Sequence, residues 1–305
     1  MKVAQKRRQK ALEEKRAIRQ NREKPQEPFK YLITLAYDGS NYGGYAKQKH
    51  KNTIQNVLEA TLKQYFAQDI KTTESSRTDA KVHALSQKVM FEVPEKIIVK
   101  KAKMQLNELL PKDILITDLE QVPRDFHCRY HVVDKTYEYT IHRRVDPRVA
   151  NYSWLVNHRL DVDKMTLASR CLIGKHDFST FKASKATTDT SIRTINFLEV
   201  KKENRKVIIR INADGFLYNM VRLIVKALVD VGAGKQEISY VKKLLDLKAK
   251  PDHLESAPAG GLCLMEVNYR VSLQTPQAIF RPESHYPSST PPNVRPCTLR
   301  RRFLD

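Results

Sequence analysis

Ser76-Arg77-Thr78-Asp79-Ala80-Lys81-Val82-His83-Ala84 packs a guanidinium, hydroxyls, a carboxylate and an imidazole into one short stretch between two apolar runs. Upstream, Ile54, Val57, Leu58, Leu62 and Phe66 recur near helical spacing, so residues 54–66 read as an amphipathic helix. Downstream, Gln87-Lys88-Val89-Met90-Phe91-Glu92-Val93 reads as a strand. The charged stretch is therefore a loop carried by rigid elements, a common setting for chemistry. A hydrated Arg-Thr-Asp turn would have the same composition, so the decision rests on the rest of the chain.

Working outward, residues 29–37 alternate enough apolar and β-favouring residues to be a strand, and Asp38-Gly39-Ser40-Asn41 is turn chemistry. Residues 100–110 suggest a helix ended by Pro111, and residues 114–122 and 132–142 look like strands. This mixing of strands and helices is expected to follow the β-α-β-β-α-β order of a ferredoxin-like unit. Residues 145–157, with Asp146-Pro147 and the only tryptophan, Trp154, read as a connector to a second half. That half repeats the theme with helices at 164–172, 216–231 and 238–247 and strands at 194–201, 207–213 and 262–269. Gly232-Ala233-Gly234 stops its long helix. The expected division is a basic arm over 1–28, halves over 29–150 and 151–270, and a disordered Pro- and Arg-rich tail over 271–305.

The 305 residues hold 55 Lys and Arg against 34 Asp and Glu, a formal net charge of +21, which calls for a polyanionic partner. Residues 1–24 supply +7 of this and the tail +3, leaving +11 on the folded part. The arm reads as an RNA contact, with a solubilising extension as its alternative. No run approaches the roughly 18 apolar residues of a membrane span. The basic N-terminal segment has no apolar centre like that of a secretory signal. Cys128, Cys171, Cys263 and Cys297 are too scattered to suggest a zinc cluster or a disulfide framework. The expectation is a cytoplasmic protein with reduced thiols and no membrane contact.

Arg77-Thr78-Asp79-Ala80-Lys81-Val82-His83-Ala84 closely resembles the catalytic loop of the pseudouridine synthase A family, Gly-Arg-Thr-Asp-Ala-Gly-Val-His-Ala. Other family-like blocks follow in order. They include Leu35-Ala36-Tyr37-Asp38-Gly39, Asp125-Phe126-His127-Cys128-Arg129, Lys135-Thr136-Tyr137-Glu138-Tyr139, His176-Asp177-Phe178-Ser179, Met220-Val221-Arg222 and Ala257-Pro258-Ala259-Gly260-Gly261-Leu262. The resemblance covers about residues 31–269. It implies an α+β fold of two ferredoxin-like halves whose antiparallel sheets join into one, with helices on one side and a basic RNA-binding cleft on the other. It also implies a homodimer.

The reaction so implied breaks the N1–C1′ bond of uridine, turns the freed uracil and rejoins it through C5. It needs a nucleophile or anionic stabiliser, a pocket that keeps the base, and an acceptor for the C5 proton, but no cofactor or metal. By the resemblance, Asp79 is the nucleophile and Arg222 the cation that keeps it ionised. A close Arg lowers a carboxylate pKa by about 1 to 3 units, which is expected to offset moderate burial. Tyr137 stacks on the uracil and relays the C5 proton, whereas Tyr139 is a packing residue. Arg77, Thr78, His83 and Lys135 are expected to bind substrate. The family's usual substrate is the anticodon stem-loop of tRNA. Two alternatives stay open: another RNA, such as large-subunit ribosomal RNA, or an RNA-binding protein without catalysis. Ser76, Lys81 and Lys226 stand where the family usually has Gly, and Tyr45-Ala46 where it has Trp-Gln, which leaves the loop geometry and the choice of RNA open.

Overall fold

The computed structural model describes residues 27–183 and 190–270, so the tail and all but the last two residues of the expected arm lie outside the described residues. The first half runs β1 (Phe29–Tyr37), α1 (Ile54–Phe66), β2 (Thr72–Glu74), β3 (His83–Val93), α2 (Val99–Leu109) and β4 (Ile114–Val122). The second runs β5 (Val132–His142), β6 (Trp154–Leu155), α3 (Val162–Ser169), β7 (Gly174–Asp177), β8 (Ile192–Glu203), β9 (Lys206–Ala213), α4 (Met220–Gly232), α5 (Tyr240–Leu247) and β10 (Leu262–Tyr269). The strands form one mixed sheet in the order β4-β1-β3-β10-β5-β9-β8-β7, with β2 added to β3 and β6 to β5.

Each half is ferredoxin-like in its pairing. β1 lies between β4 and β3, and β5 lies between β10 and β9. The short β2, invisible to periodicity, supplies the second strand of the first β-α-β-β-α-β unit. The expected division near residue 150 does not coincide with the sheet. β5 precedes that point yet pairs with β9 and β10, so the repeat changes over between β4 and β5. The two units join through a parallel contact of β10 with β3, Cys263 opposite His83 and Leu264 opposite Ala84. Farther along the same edge of β3, Val89 to Phe91 pair with β2 instead. Residues 75–82 occupy the place where that edge passes from one partner to the other, which fixes the loop at the centre of the molecule.

The strand alternation sends Tyr31, Ile33, Val89, Phe91, Tyr139, Ile209 and Ile211 to one face. The buried apolar side chains of all five α-helices belong to the same cluster, so the helices cover that face. A smaller cluster of Leu32, Met90, Val122, Phe126 and Cys128 serves the other face and includes no helix residue. α4 is the most enclosed helix, because only Arg222, Lys226 and Asp230 interrupt its buried side chains. Their spacing of four draws them into one narrow polar stripe, on which Lys226 pairs with Asp230 and leaves Arg222 to point elsewhere.

Candidate active site

Asp79 sits on the loop entering β3, and Thr78 beside it is pinned from three directions. The Thr78 carbonyl accepts from Tyr45 N–H at 3.1 Å, and the Thr78 hydroxyl lies 2.7 Å from the Tyr37 hydroxyl. Gly44, at φ 109°, packs so closely that a Cβ there would stand 2.8 Å from the Thr78 oxygen. Upstream, Ser75 Oγ donates to the fully buried Gln87 at 3.0 Å, and the Gln87 amide donates to the Ser76 carbonyl. Lys81 closes the turn with φ 66°, so a Lys occupies the left-handed conformation that Gly adopts without strain.

Opposite the loop, Asn219 at φ 62° starts α4 and the first turn delivers Arg222. Its Nη1 lies 3.3 Å from Asp79 Oδ2, with the two side chains 16% and 18% exposed. Arg222 also donates from Nε to the Ala257 carbonyl at 2.7 Å, from Nη1 to Asn219 at 3.0 Å and from Nη2 to Ser256 at 3.0 Å. Those bonds aim the guanidinium but leave Asp79 a single long contact rather than a bidentate grip. Tyr137 comes from β5 and meets the Phe216 ring edge-on at 5.1 Å. Asp79, Arg222, Tyr137, Phe216 and Lys135 line one pocket with a volume of about 540 Å³, large enough for a nucleoside. Tyr137 alternates with Thr136 and Glu138, so it projects to the helix-bearing face, and the pocket lies between α4 and the loop rather than on the bare face.

Burial raises the Asp79 carboxyl above its ordinary value, and the charge and hydrogen bond of Arg222 only partly oppose it. The expected full offset does not occur, because one long contact returns less than desolvation removes. Burial likewise lifts the Tyr137 phenol to about 12, with the Ser76 hydrogen bond lowering it and the Asp79 charge raising it. Burial brings Lys135 down to about 8, reinforced by Arg129 and Arg193 and opposed by Cys128 and Glu74. The pocket thus joins a carboxylate, a phenol and an amine whose proton affinities are all perturbed, as acid–base and nucleophilic chemistry requires.

A family model for tRNA pseudouridine synthase matches residues 33–131 and 168–270, which include Asp79 and Arg222. The chain belongs to the tRNA pseudouridine synthase family. The tRNA pseudouridine synthase A 2 of Clostridium perfringens is 42% identical over 239 residues, spanning 78% of this chain and 98% of that protein. The tRNA pseudouridine synthase A of Clostridium kluyveri is 41% identical over 239 residues, with the same coverage of 78% and 98%. Among solved structures, an H/ACA ribonucleoprotein bound to a substrate RNA containing 2′-deoxyuridine aligns with a TM-score of 0.34 and 14% identity, over 66% of this chain and 44% of that one.

In this tRNA pseudouridine synthase family member, the residues singled out in the sequence do not all reach the pocket. Arg77 stands at its mouth, 71% exposed, with Nε donating to Glu74 at 2.8 Å. Thr78 lines the pocket, but its hydroxyl is engaged by Tyr37, so it positions the loop. Lys135 lies inside, with Nζ donating to the Ser75 carbonyl at 2.7 Å. His83, expected to contact substrate, is not among the residues that line the pocket. Its ring is buried, Nδ1 lies 3.1 Å from both Gly39 N–H and the Asp38 carboxylate, Nε2 lies 3.0 Å from the Asn151 carbonyl, and Tyr152 packs 5.0 Å away. It ties β3 to the turn after β1 and to the segment before β6.

Glu74, Arg129, Gln87 and Phe216 were not assigned site roles from the sequence. Glu74 is 6% exposed and holds Arg77 and Arg129 together, the latter at 2.6 Å. A lone Glu and a lone Gln on core-facing strand positions were the available signal, since buried polar groups need partners. Tyr139 packs as expected, fully buried, with its hydroxyl donating to the Pro258 carbonyl at 2.7 Å.

Proposed function

We propose that this chain isomerises uridine to pseudouridine in tRNA, with the anticodon stem-loop as its target and Asp79 as its nucleophile. The reading is carried by one observation: Asp79 and Arg222 meet at 3.3 Å in a pocket that also holds Tyr137. The target nucleotide leaves its stack, at a cost of a few kcal/mol, and its base enters beside Tyr137 and Phe216. Asp79 attacks as the carboxylate. Arg222 favours that form and, through its bonds to Ala257, Asn219 and Ser256, stays fixed while charge moves. The pocket keeps the detached uracil close enough to rejoin through C5, and Tyr137 faces the proton that must then leave. Arg77 and Arg129, at the mouth, meet backbone phosphates. Two copies acting on one RNA, in the cytoplasm, complete the proposal.

The test is to incubate the purified chain with an unmodified tRNA transcript and, separately, with unmodified ribosomal RNA, and map pseudouridine at single-nucleotide resolution. Conversion confined to the anticodon arm is the expected result. Conversion only in ribosomal RNA would replace the substrate and keep the chemistry, and no conversion in any RNA would overturn the reading.

A further inference from the structure

Lys135 is an unusual cation for a nucleic-acid pocket. It is deeply placed on β5, and among the described residues no carboxylate stands within ion-pair distance of its Nζ. Its polar contacts are the Ser75 carbonyl at 2.7 Å and Ser76 Oγ at 3.3 Å. Ser76 Oγ in turn lies 3.3 Å from the Tyr137 hydroxyl. The three groups form a chain, amine to hydroxyl to phenol, whose far end opens on the pocket shared with Asp79.

We propose that Lys135, Ser76 and Tyr137 form a proton relay that removes the C5 proton, with the charge state of Lys135 setting the direction of the relay. This deepens the reading above and rests on it. An ammonium can only donate, so Ser76 Oγ then accepts a hydrogen bond from Lys135 and donates its own O–H to the Tyr137 oxygen. The phenol thereby turns its O–H toward the pocket and cannot accept a proton there. A neutral amine has a lone pair, so Ser76 donates to Lys135, Tyr137 donates to Ser76, and the phenol presents an unshared pair to the pocket.

In that second state the step balances. The C5–H bond of the rejoined base breaks, its electron pair forms the C5=C6 bond, and the N1=C6 pair moves onto N1, which takes a proton from solvent. The proton passes to the Tyr137 oxygen as the phenol proton moves to Ser76 Oγ and the hydroxyl proton to Lys135 Nζ. Lys135 ends as an ammonium and returns its proton to solvent after release. The relay also removes a difficulty, because a phenol raised to about 12 is costly to ionise but need not ionise if its own proton leaves as another arrives. The neutral amine is accessible for a physical reason: burial, with Arg129 and Arg193 nearby, brings Lys135 to about 8 against the opposing pull of Cys128 and Glu74. The relay depends on a hydroxyl at position 76, where the family pattern has Gly.

The experiment uses the full chain and an anticodon-arm RNA tritiated at uridine C5. Single-turnover tritium release is followed across pH for the wild type, Ser76→Ala, Ser76→Thr and Lys135→Met, beside RNA affinity. The wild-type rate should rise with pH and level off above about 8. Ser76→Ala and Lys135→Met should lose about 100-fold on that plateau and lose the rise itself, with RNA affinity retained, and Ser76→Thr should restore both. A Ser76→Ala profile that keeps the wild-type rise, or falls by one factor at every pH, overturns the relay. Absence of pseudouridine from the wild type would instead overturn the reading on which it rests.

Discussion

Replacing Gly44 by Ala tests how the loop that carries Asp79 is held. At φ 109° an alanine is strained, and its Cβ would stand 2.8 Å from the Thr78 oxygen, 3.2 Å from Ala80 N and 3.2 Å from the Asp79 carbonyl carbon. All three are backbone atoms, so no side chain can swing away. The strained backbone costs about 1–3 kcal/mol. Loss of the bond from Tyr45 N–H to Thr78 adds about 1 kcal/mol. The stiffer unfolded chain returns about 0.4–1 kcal/mol. The net loss is about 1–3.5 kcal/mol, a fall of about 2–14 °C in Tm for a folded region of this size. Asp79 moves with the loop, and a displacement approaching 1 Å costs about 100-fold in rate. Differential scanning calorimetry and single-turnover pseudouridine formation on the same preparation read both effects. Gly234→Ala is the control, since Gly234 has φ 73° but nothing within 4 Å of the added Cβ. It should lose about 1 kcal/mol of stability and none of the rate. A Gly44→Ala variant that matches wild type in both Tm and rate would refute this account of the loop.

Lys81→Gly should stabilise the protein by about 0.5–1 kcal/mol, because a left-handed L-residue costs about 1–2 kcal/mol and glycine's unfolded-state entropy returns only part of it. Denaturant midpoints with an unchanged m-value check this. Arg222→Gln should move the acid limb of the rate profile to higher pH, since Asp79 is already raised by burial and loses the cation that opposes it. A raised folded-state value means stability that is present at low pH and lost as pH rises through that value. Arg222→Gln should therefore be destabilised more at pH 8 than at pH 5, which thermal melts at the two pH values will show.

The strands β1, β4, β5 and β10 and the helix α1 were legible to the residue, because long alternating or helical patterns carry their own bounds. The three residues of β2 carry no pattern, yet without them the first unit lacks its second strand. The membership of β5 was hidden for another reason. Pairing with β9 and β10 is a long-range choice, and the Asp146-Pro147 segment looks more like a linker than residues 123–131 do. α4 begins at Met220 rather than Phe216, since Asn219 adopts a left-handed conformation and the preceding turn gives its Phe216 ring to the pocket. At the site, Asp79, Tyr137 and Arg222 were readable from motif blocks and meet in one pocket, while the burial of His83 and the engagement of Thr78 by Tyr37 depend on packing that no motif records. The balance between burial and Arg222 at Asp79 turned on a distance, which sequence does not contain.

The most direct test of the central claim is Asp79→Asn, assayed for pseudouridine in a tRNA transcript alongside RNA binding. The amide keeps the shape of the side chain and is a very poor nucleophile, so the account predicts wild-type affinity with no pseudouridine even at one turnover. Repeated turnover by Asp79→Asn, in a preparation free of wild-type enzyme and of deamidated asparagine, would contradict it.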